Sequence, residues 1–194
     1  MVVGTAVSTA EMILAAAKRA IEAKGAGRLT MSAVAAEAGV SRPTLYHWFP
    51  TKGILLAAMT AYEVEQFDLG LRSVVDGQRA PGRRLDAALR YLVTYLDDAM
   101  GSDPIGAEPG FALQSLADSL GPHVASLVRL LGGALDLLPA VGAGTLTREQ
   151  AAEMFLRVAY SHYLVPHRDP EALLVILRGF AGLPRTTARG LSTR

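Results

Sequence analysis

The sequence predicts an all-α fold, and three observations carry that prediction. Apolar residues recur at three- and four-residue spacing over long stretches. The two-residue alternation of a half-buried strand is scarce. Glycine and proline fall at intervals, and helical periodicity fills the gaps. The chain has 194 residues, 51% of them hydrophobic. That suffices for a sizeable core in one domain or two small ones.

The first helix opens in "STAEMILAAAKRAIEAKG". Ser8 and Glu11 have capping-box spacing, in which each side chain satisfies a free amide of the first turn. Ile13, Ala17, Ala20 and Ile21 form its apolar stripe, and Gly25 and Gly27 end it. Lys18 and Glu22 lie four apart on the wet face. A shorter helix, "TMSAVAAEAG", is capped by Thr30 and stopped by Gly39, with Val34, Ala35 and Ala38 inward. The third, "SRPTLYHWF", is capped by Ser41, and Pro43 falls in its first turn, where a missing N–H costs nothing. "TKGILLAAMTAYEVEQFDLGLRSVV" reads as a fourth helix of about six or seven turns.

Beyond Pro81, helices are expected near 82–100, 109–119, 122–137, 147–165 and 169–182. Pro104, Pro109, the Gly121–Pro122 pair and "LPAVGAGT" mark the joints. Thr147 with Gln150 is a second capping box, and Asp169, Pro170 and Glu171 are a strong helix start. Three short helices, a long connector and a larger apolar bundle therefore divide the chain. The expected parts are a three-helix head over 1–52, a larger helical domain over 53–183, and a disordered tail over 184–194.

Composition narrows the function classes. There is no cysteine, hence no disulfide and no thiolate metal site. No basic start precedes an apolar N-terminal core, so no signal peptide is expected. No apolar run reaches the ~18 residues of a membrane helix. The expected setting is the cytoplasm. Residues 1–52 hold six basic and three acidic side chains, including all three lysines, whereas the remainder is net acidic. A basic end on an acidic body suits an anion-binding module on a larger scaffold.

The second helix, "GVS" and the third helix form a helix-turn-helix signature. Gly39 adopts positive φ at no steric cost. Val40 plugs the angle between the helices, and Leu45, Trp48 and Phe49 are expected to hold the third helix down. The N-terminal residues of such a helix lie nearest the base edges of the major groove. Here those are Arg42, Pro43 and Thr44. Tyr46 and His47 offer phosphate donors, and Thr30 and Ser32 open a helix whose free amides also point at anions. Lys52 begins the fourth helix, where the dipole disfavours a cation unless an anion is near. With Ser41 at the turn, the expected DNA-facing set is Thr30, Ser32, Ser41, Arg42, Pro43, Thr44, Tyr46, His47 and Lys52. On spacing alone, a solvated face of a plain helical hairpin remains open.

Residues 29–59, "LTMSAVAAEAGVSRPTLYHWFPTKGILLAAM", resemble the DNA-binding domain of the TetR family of bacterial transcriptional regulators. The residues that carry the likeness are Thr30, Ala35, Ala38, Gly39, Val40, Ser41, Thr44, Leu45, Tyr46, Trp48, Phe49 and Lys52. The resemblance implies a homodimer with a nine-helix, two-domain TetR-like fold, a DNA-binding domain over 1–52 and a helical ligand-binding and dimerisation domain over 53–183. It also implies a small-molecule pocket in the second domain and repression relieved by that ligand. Pro43 stands where the family often has Gly or Ala, and it is expected to stiffen the turn and touch a thymine methyl. Trp48 replaces the more usual His or Tyr, and Gly53 stands where an acid is common.

In the second domain, Ala152, Phe155, Ala159 and His162 lie on one expected helix, and Leu173, Ile176, Leu177 and Phe180 on the next. Two helices this apolar exceed what one small bundle covers, so a four-helix dimer interface is expected, with plain core as the alternative. Phe67, Tyr91, Tyr95, Met100, Phe111 and Leu113 are candidates to line a pocket for a small, mostly apolar ligand. Plain core is again the alternative.

The histidines His47, His123, His162 and His167 offer poor geometry for a metal. No Gly-rich phosphate loop, Ser-His-Asp arrangement or paired carboxylate argues for an enzyme, and no cofactor is expected. The reading is a dimeric, sequence-specific DNA-binding regulator, released from a palindromic double-stranded operator by a small effector. The alternatives are a ligand-independent or activating regulator, or a helical adaptor that binds protein.

Overall fold

The computed structural model describes residues 8–25, 27–100, 109–165 and 171–184. Among them are α1 (Thr9–Lys24), α2 (Met31–Ala38), α3 (Arg42–Trp48), α4 (Lys52–Val75), α5 (Pro81–Met100) and α6 (Pro109–Leu131). A 3₁₀ turn (Gly132–Leu137), α7 (Pro139–Gly142), α8 (Arg148–Leu164) and α9 (Ala172–Phe180) follow. The described residues are thus all-α, with nine α-helices and no strand.

The capping chemistry is as expected. Ser8 and Glu11 exchange both bonds of a capping box at 3.1 and 2.7 Å, and so do Thr147 and Gln150 at 3.2 and 2.9 Å. Two boundaries differ from expectation. No break occurs at Gly121–Pro122, since α6 runs through it with Pro122 inside the helix. A proline there removes one hydrogen bond and crowds the carbonyl four residues back. Yet Ser119, His123, Ser126, Leu127 and Leu130 remain buried at helical spacing, so burial on both sides outweighs the local cost. The helix then ends at Leu131 and tightens into the 3₁₀ turn. The expected start at Asp169 and Pro170, His167 and the tail beyond residue 184 lie outside the described residues.

Contacts along the chain fall into two compact units. The first takes Met1–Leu69 and Asp97–His123. Its core joins Ile13, Ala17 and Ile21 of α1 to Val34 and Ala35 of α2, Leu45 of α3, Phe49, and Leu55 and Met59 of α4. Two exposed ion pairs lace its surface: Arg19 to Glu37 at 2.8 Å, and Lys18 to Glu63 at 3.0 Å. Such pairs contribute at most about 1 kcal/mol each, so the apolar cluster dominates. Further along, the Phe67 ring stacks on buried His123 with centroids 4.0 Å apart. Burial lowers the pKa of His123 to about 4.

The second unit takes Gly70–Leu96 and Val124–Arg194. Leu71, Val75, Leu85, Leu89, Leu92, Leu127, Leu135, Phe155, Leu156 and Leu177 are buried in it. Polar contacts fix its edges. Asp86 of α5 meets Arg178 of α9 at 2.6 Å and Arg90 at 3.0 Å. Arg148 donates twice to Asp136, at 2.8 and 2.6 Å, and holds that carboxyl below its usual range.

Candidate DNA-binding interface

The interface is built from the turn upward. Gly39 closes α2 in the left-handed region, with φ 66 and ψ 25. The Gly39 amide donates to Ala36 O at 3.2 Å, and the Val40 amide donates to Ala35 O at 3.0 Å. These are the two bonds of a Schellman motif, which satisfies helix-end carbonyls and turns the chain sharply. Val40 packs half-buried against the core of the first unit. Ser41 then caps α3: its Oγ accepts from the Thr44 amide at 3.2 Å and lies 2.7 Å from Thr44 Oγ1.

Seven residues make α3, too few to persist in isolation. Leu45 and Phe49, one turn apart, anchor it at 0% and 6% exposure. The Phe49 amide donates to Leu45 O at 2.8 Å and closes the end. Everything between the anchors faces outward. Arg42, Pro43, Tyr46 and His47 are exposed, and Thr44 is half-buried.

Trp48 departs from expectation. It is 46% exposed and does not hold α3 down. Its ring meets the neighbouring His47 ring edge-on at 6.0 Å. The reason is angular: Leu45 and Phe49 define the buried stripe of so short a helix, and Trp48 falls on its flank. The outward face therefore carries an aromatic side chain that sequence reasoning assigned to the core. A seven-residue helix with two apolar anchors already in register was the available signal.

The other expected DNA-facing residues flank α3. Thr30 Oγ1 accepts from the Ala33 amide at 3.1 Å and so caps α2, with Ser32 half-buried behind it. Lys52 is the first residue of α4 and is half-buried. The cap of α4 is Thr51, whose Oγ1 accepts from the Ile54 amide at 3.2 Å. The signal for it in the sequence is Thr51 three residues before the apolar run that opens at Ile54. Gly53 is the second residue of α4.

The structure distributes the remaining candidates as follows. Ala152, Phe155, Ala159, Leu173 and Leu177 are buried within the single chain, while Ile176 and Phe180 stand 46% and 51% exposed and His162 is half-buried. Tyr91 and Tyr95 are half-buried on α5 with ring centroids 6.0 Å apart. Leu113 is 52% exposed, out of phase with buried Ala112 and Ser119. The side chains of Met100 and Phe111 lie outside the described residues. No helix among the described residues is long and apolar enough to cross a membrane.

Comparison with known proteins gives this geometry a family. Residues 13–59, which contain α2, the turn and α3, match the model for bacterial regulatory proteins of the tetR family. The chain is 32% identical over 98 residues to the HTH-type transcriptional regulator EthR of Mycolicibacterium smegmatis. That match covers 50% of this chain and 44% of the EthR chain, so it spans less than half of the curated relative. Among solved structures, the fatty acid degradation regulator FadR from Bacillus halodurans has the same fold, with a TM-score of 0.69. It is 19% identical and covers 98% of this chain and all, 100%, of its own. The TetR family repressor AlkX from Dietzia sp. is 25% identical with a TM-score of 0.57, covering 88% of this chain and 96% of its own. Residues 13–59 thus carry the helix-turn-helix domain of bacterial regulatory proteins of the tetR family, and the described chain shares its all-helical fold with solved regulators of that family.

Proposed function

We propose that this chain is a homodimeric repressor, working in the cytoplasm, that leaves a palindromic DNA operator when a small, mostly apolar effector binds its second unit. The observation that carries the reading is the turn. Gly39 and Ser41 present Arg42, Pro43 and Thr44 at an exposed helix start, held from behind by Leu45 and Phe49. In a recognition helix those three residues read base edges. Tyr46, His47 and Lys52 grip phosphate, aided by Thr30 and Ser32, and exposed Trp48 adds an apolar or backbone contact. The hydroxyl of Ser41 is already used as a cap, so it acts on DNA mainly by setting the angle of α3.

Dimerisation falls to the outward face of α9. Val175, Ile176 and Phe180 expose large apolar side chains there, beside the self-buried α8. The relatives support the rest of the reading: AlkX is a repressor and FadR a fatty acid degradation regulator. Effector would favour a dimer state whose two α3 helices miss successive major grooves. A swing from 1:99 to 99:1 between states requires about 5.5 kcal/mol of differential binding.

The test is selection of bound duplexes from a random pool, followed by a screen of apolar acids, alcohols and hydrocarbons for release. A palindromic consensus released by one compound class is the expected result. Selection of no consensus would refute the DNA-reading assignment, and a consensus that no effector releases would leave only a ligand-independent regulator.

A further inference from the structure

The recognition helix leaves an indole in water. Trp48 is the chain's only tryptophan, and it stands 46% exposed at the C-terminal end of α3. Aromatic rings bury the largest apolar areas of any side chains, so an exposed indole forgoes one of the largest contributions available to the core. Leu45 and Phe49 already fill the side of α3 that faces that core. Residues turn by about 100° each along a helix, which puts Tyr46 and Trp48 about 80° to either side of the centre of the Leu45–Phe49 stripe. Tyr46 is as exposed as Trp48, at 48%. The two rings therefore stand on opposite flanks of α3.

A helix with its side chains is about 10–12 Å across and the major groove of B-DNA about 12 Å wide, so a docked helix meets both groove walls with its flanks. The two flanking rings differ at their tips. Tyr46 ends in a hydroxyl, which suits a phosphate oxygen. The indole of Trp48 has a single N–H donor and no acceptor, and the rest of its surface is apolar. In the major groove the apolar feature of a base edge is the thymine C5 methyl. His47 braces the indole: the two rings meet at 82° with centroids 6.0 Å apart, a favourable edge-to-face arrangement. A braced ring has less rotamer freedom to lose on binding. No acidic side chain lies on α3, so nothing on that helix repels the groove wall.

We propose that Trp48 is a specificity-determining residue of this chain, reading a thymine of each half-site through its C5 methyl. The proposal rests on α3 being the DNA-reading helix, and it adds the base that Trp48 selects and the atoms that select it. Pro43, which also suits a thymine methyl, opens the helix about 7.5 Å away along its axis, so the two residues reach different bases. A phosphate contact from the indole N–H would be the same at every sequence. Thymine and uracil differ by the methyl alone, so the contact can be tested one group at a time.

The operator selected by the full chain is resynthesised with each thymine in turn replaced by deoxyuridine, and affinity is measured for the parent, Trp48→Ala and Pro43→Ala. At one position per half-site the replacement should lower parent affinity about fourfold, the transfer of one methyl-sized group. Trp48→Ala should bind the unmodified operator about tenfold more weakly and show no further loss at that position. Pro43→Ala should keep the loss there. Because the ring is exposed, Trp48→Ala should leave the urea midpoint and the binding of random duplex DNA close to the parent's. The proposal is overturned if every deoxyuridine loss persists in Trp48→Ala. It is also overturned if that variant weakens operator and random DNA equally and lowers the salt slope by about one unit, the result expected of a phosphate contact. An operator whose thymines all tolerate deoxyuridine overturns this proposal alone. A parent that selects no operator overturns it together with the DNA-reading role of α3.

Discussion

Gly39→Ala and Gly53→Ala are the same substitution on either side of α3, and they should act with opposite sign. Gly39 has φ 66, and a Cβ there would touch nothing within 4 Å. Its cost is therefore backbone strain alone, about 1–2 kcal/mol for an L-residue in the left-handed region. Alanine also restricts the unfolded chain, which offsets about 0.4–1 kcal/mol. The expected net loss is about 0.5–1.5 kcal/mol. Gly53 sits in the first turn of α4, and a Cβ there meets only Thr51 Oγ1 at 3.8 Å, an ordinary contact. Helix propensity then stabilises the variant by up to about 1 kcal/mol. Urea unfolding of the full chain should place the two variants on opposite sides of the parent. Gly39→Asn should fall between Gly39→Ala and the parent, because asparagine tolerates this backbone. Since the Schellman turn sets the exit angle of α3, Gly39→Ala should also weaken specific DNA binding more than it weakens random DNA binding. If Gly39→Ala were as stable as the parent, the assignment of the turn's strain to glycine would be wrong.

Three further outcomes are expected. A Cβ at Gly70 would lie 2.2 Å from Tyr91 Oη and 2.7 Å from two ring carbons, with Tyr95 flanking that ring, so Gly70→Ala should cost about 1–2 kcal/mol in urea unfolding. In a Tyr91→Ala background the same change should become neutral or stabilising, and a cost that persisted there would remove Tyr91 as its cause. His123 has its pKa lowered by burial from 6.5 to about 4, so its neutral form belongs to the folded state. The unfolded chain takes the proton first. Stability from this group is whole above pH 6.5 and lost as pH falls toward 4, about 3 kcal/mol in all. His123→Leu should flatten that part of the stability profile, and an equal fall in parent and variant would contradict it. Arg42→Ala should change the preferred base at one operator position, whereas Lys52→Ala should weaken all sites alike and reduce the salt slope by about one unit. Binding to a panel of operator variants at several salt concentrations separates the two, and parallel losses would refute the division of roles.

Much of the helix-turn-helix was legible because its determinants are local. Caps at Ser8, Thr30, Ser41 and Thr147 are hydrogen bonds spanning three residues, and the Gly39 turn spans five. The Leu45–Phe49 anchor is one helical turn. Such patterns are written in adjacent residues, whatever the rest of the chain does. Apart from the Thr147 cap, the second unit offered no equivalent. Apolar residues on α8 and α9 promise burial, but periodicity alone does not say whether the covering surface comes from the same chain or another.

The sequence by itself determined the fold class, the capped starts of α1, α2, α3 and α8, and the helix-turn-helix. Only the tertiary structure decided which faces meet. It exposed Trp48, carried α6 through Pro122, and gave Lys18 its partner in Glu63. It buried Phe155 and Leu177 within one chain and left Ile176 and Phe180 outside. Hydrogen-bonded caps and turns act over a few residues, whereas burial is settled by contacts between segments distant in sequence, and no local pattern specifies those partners.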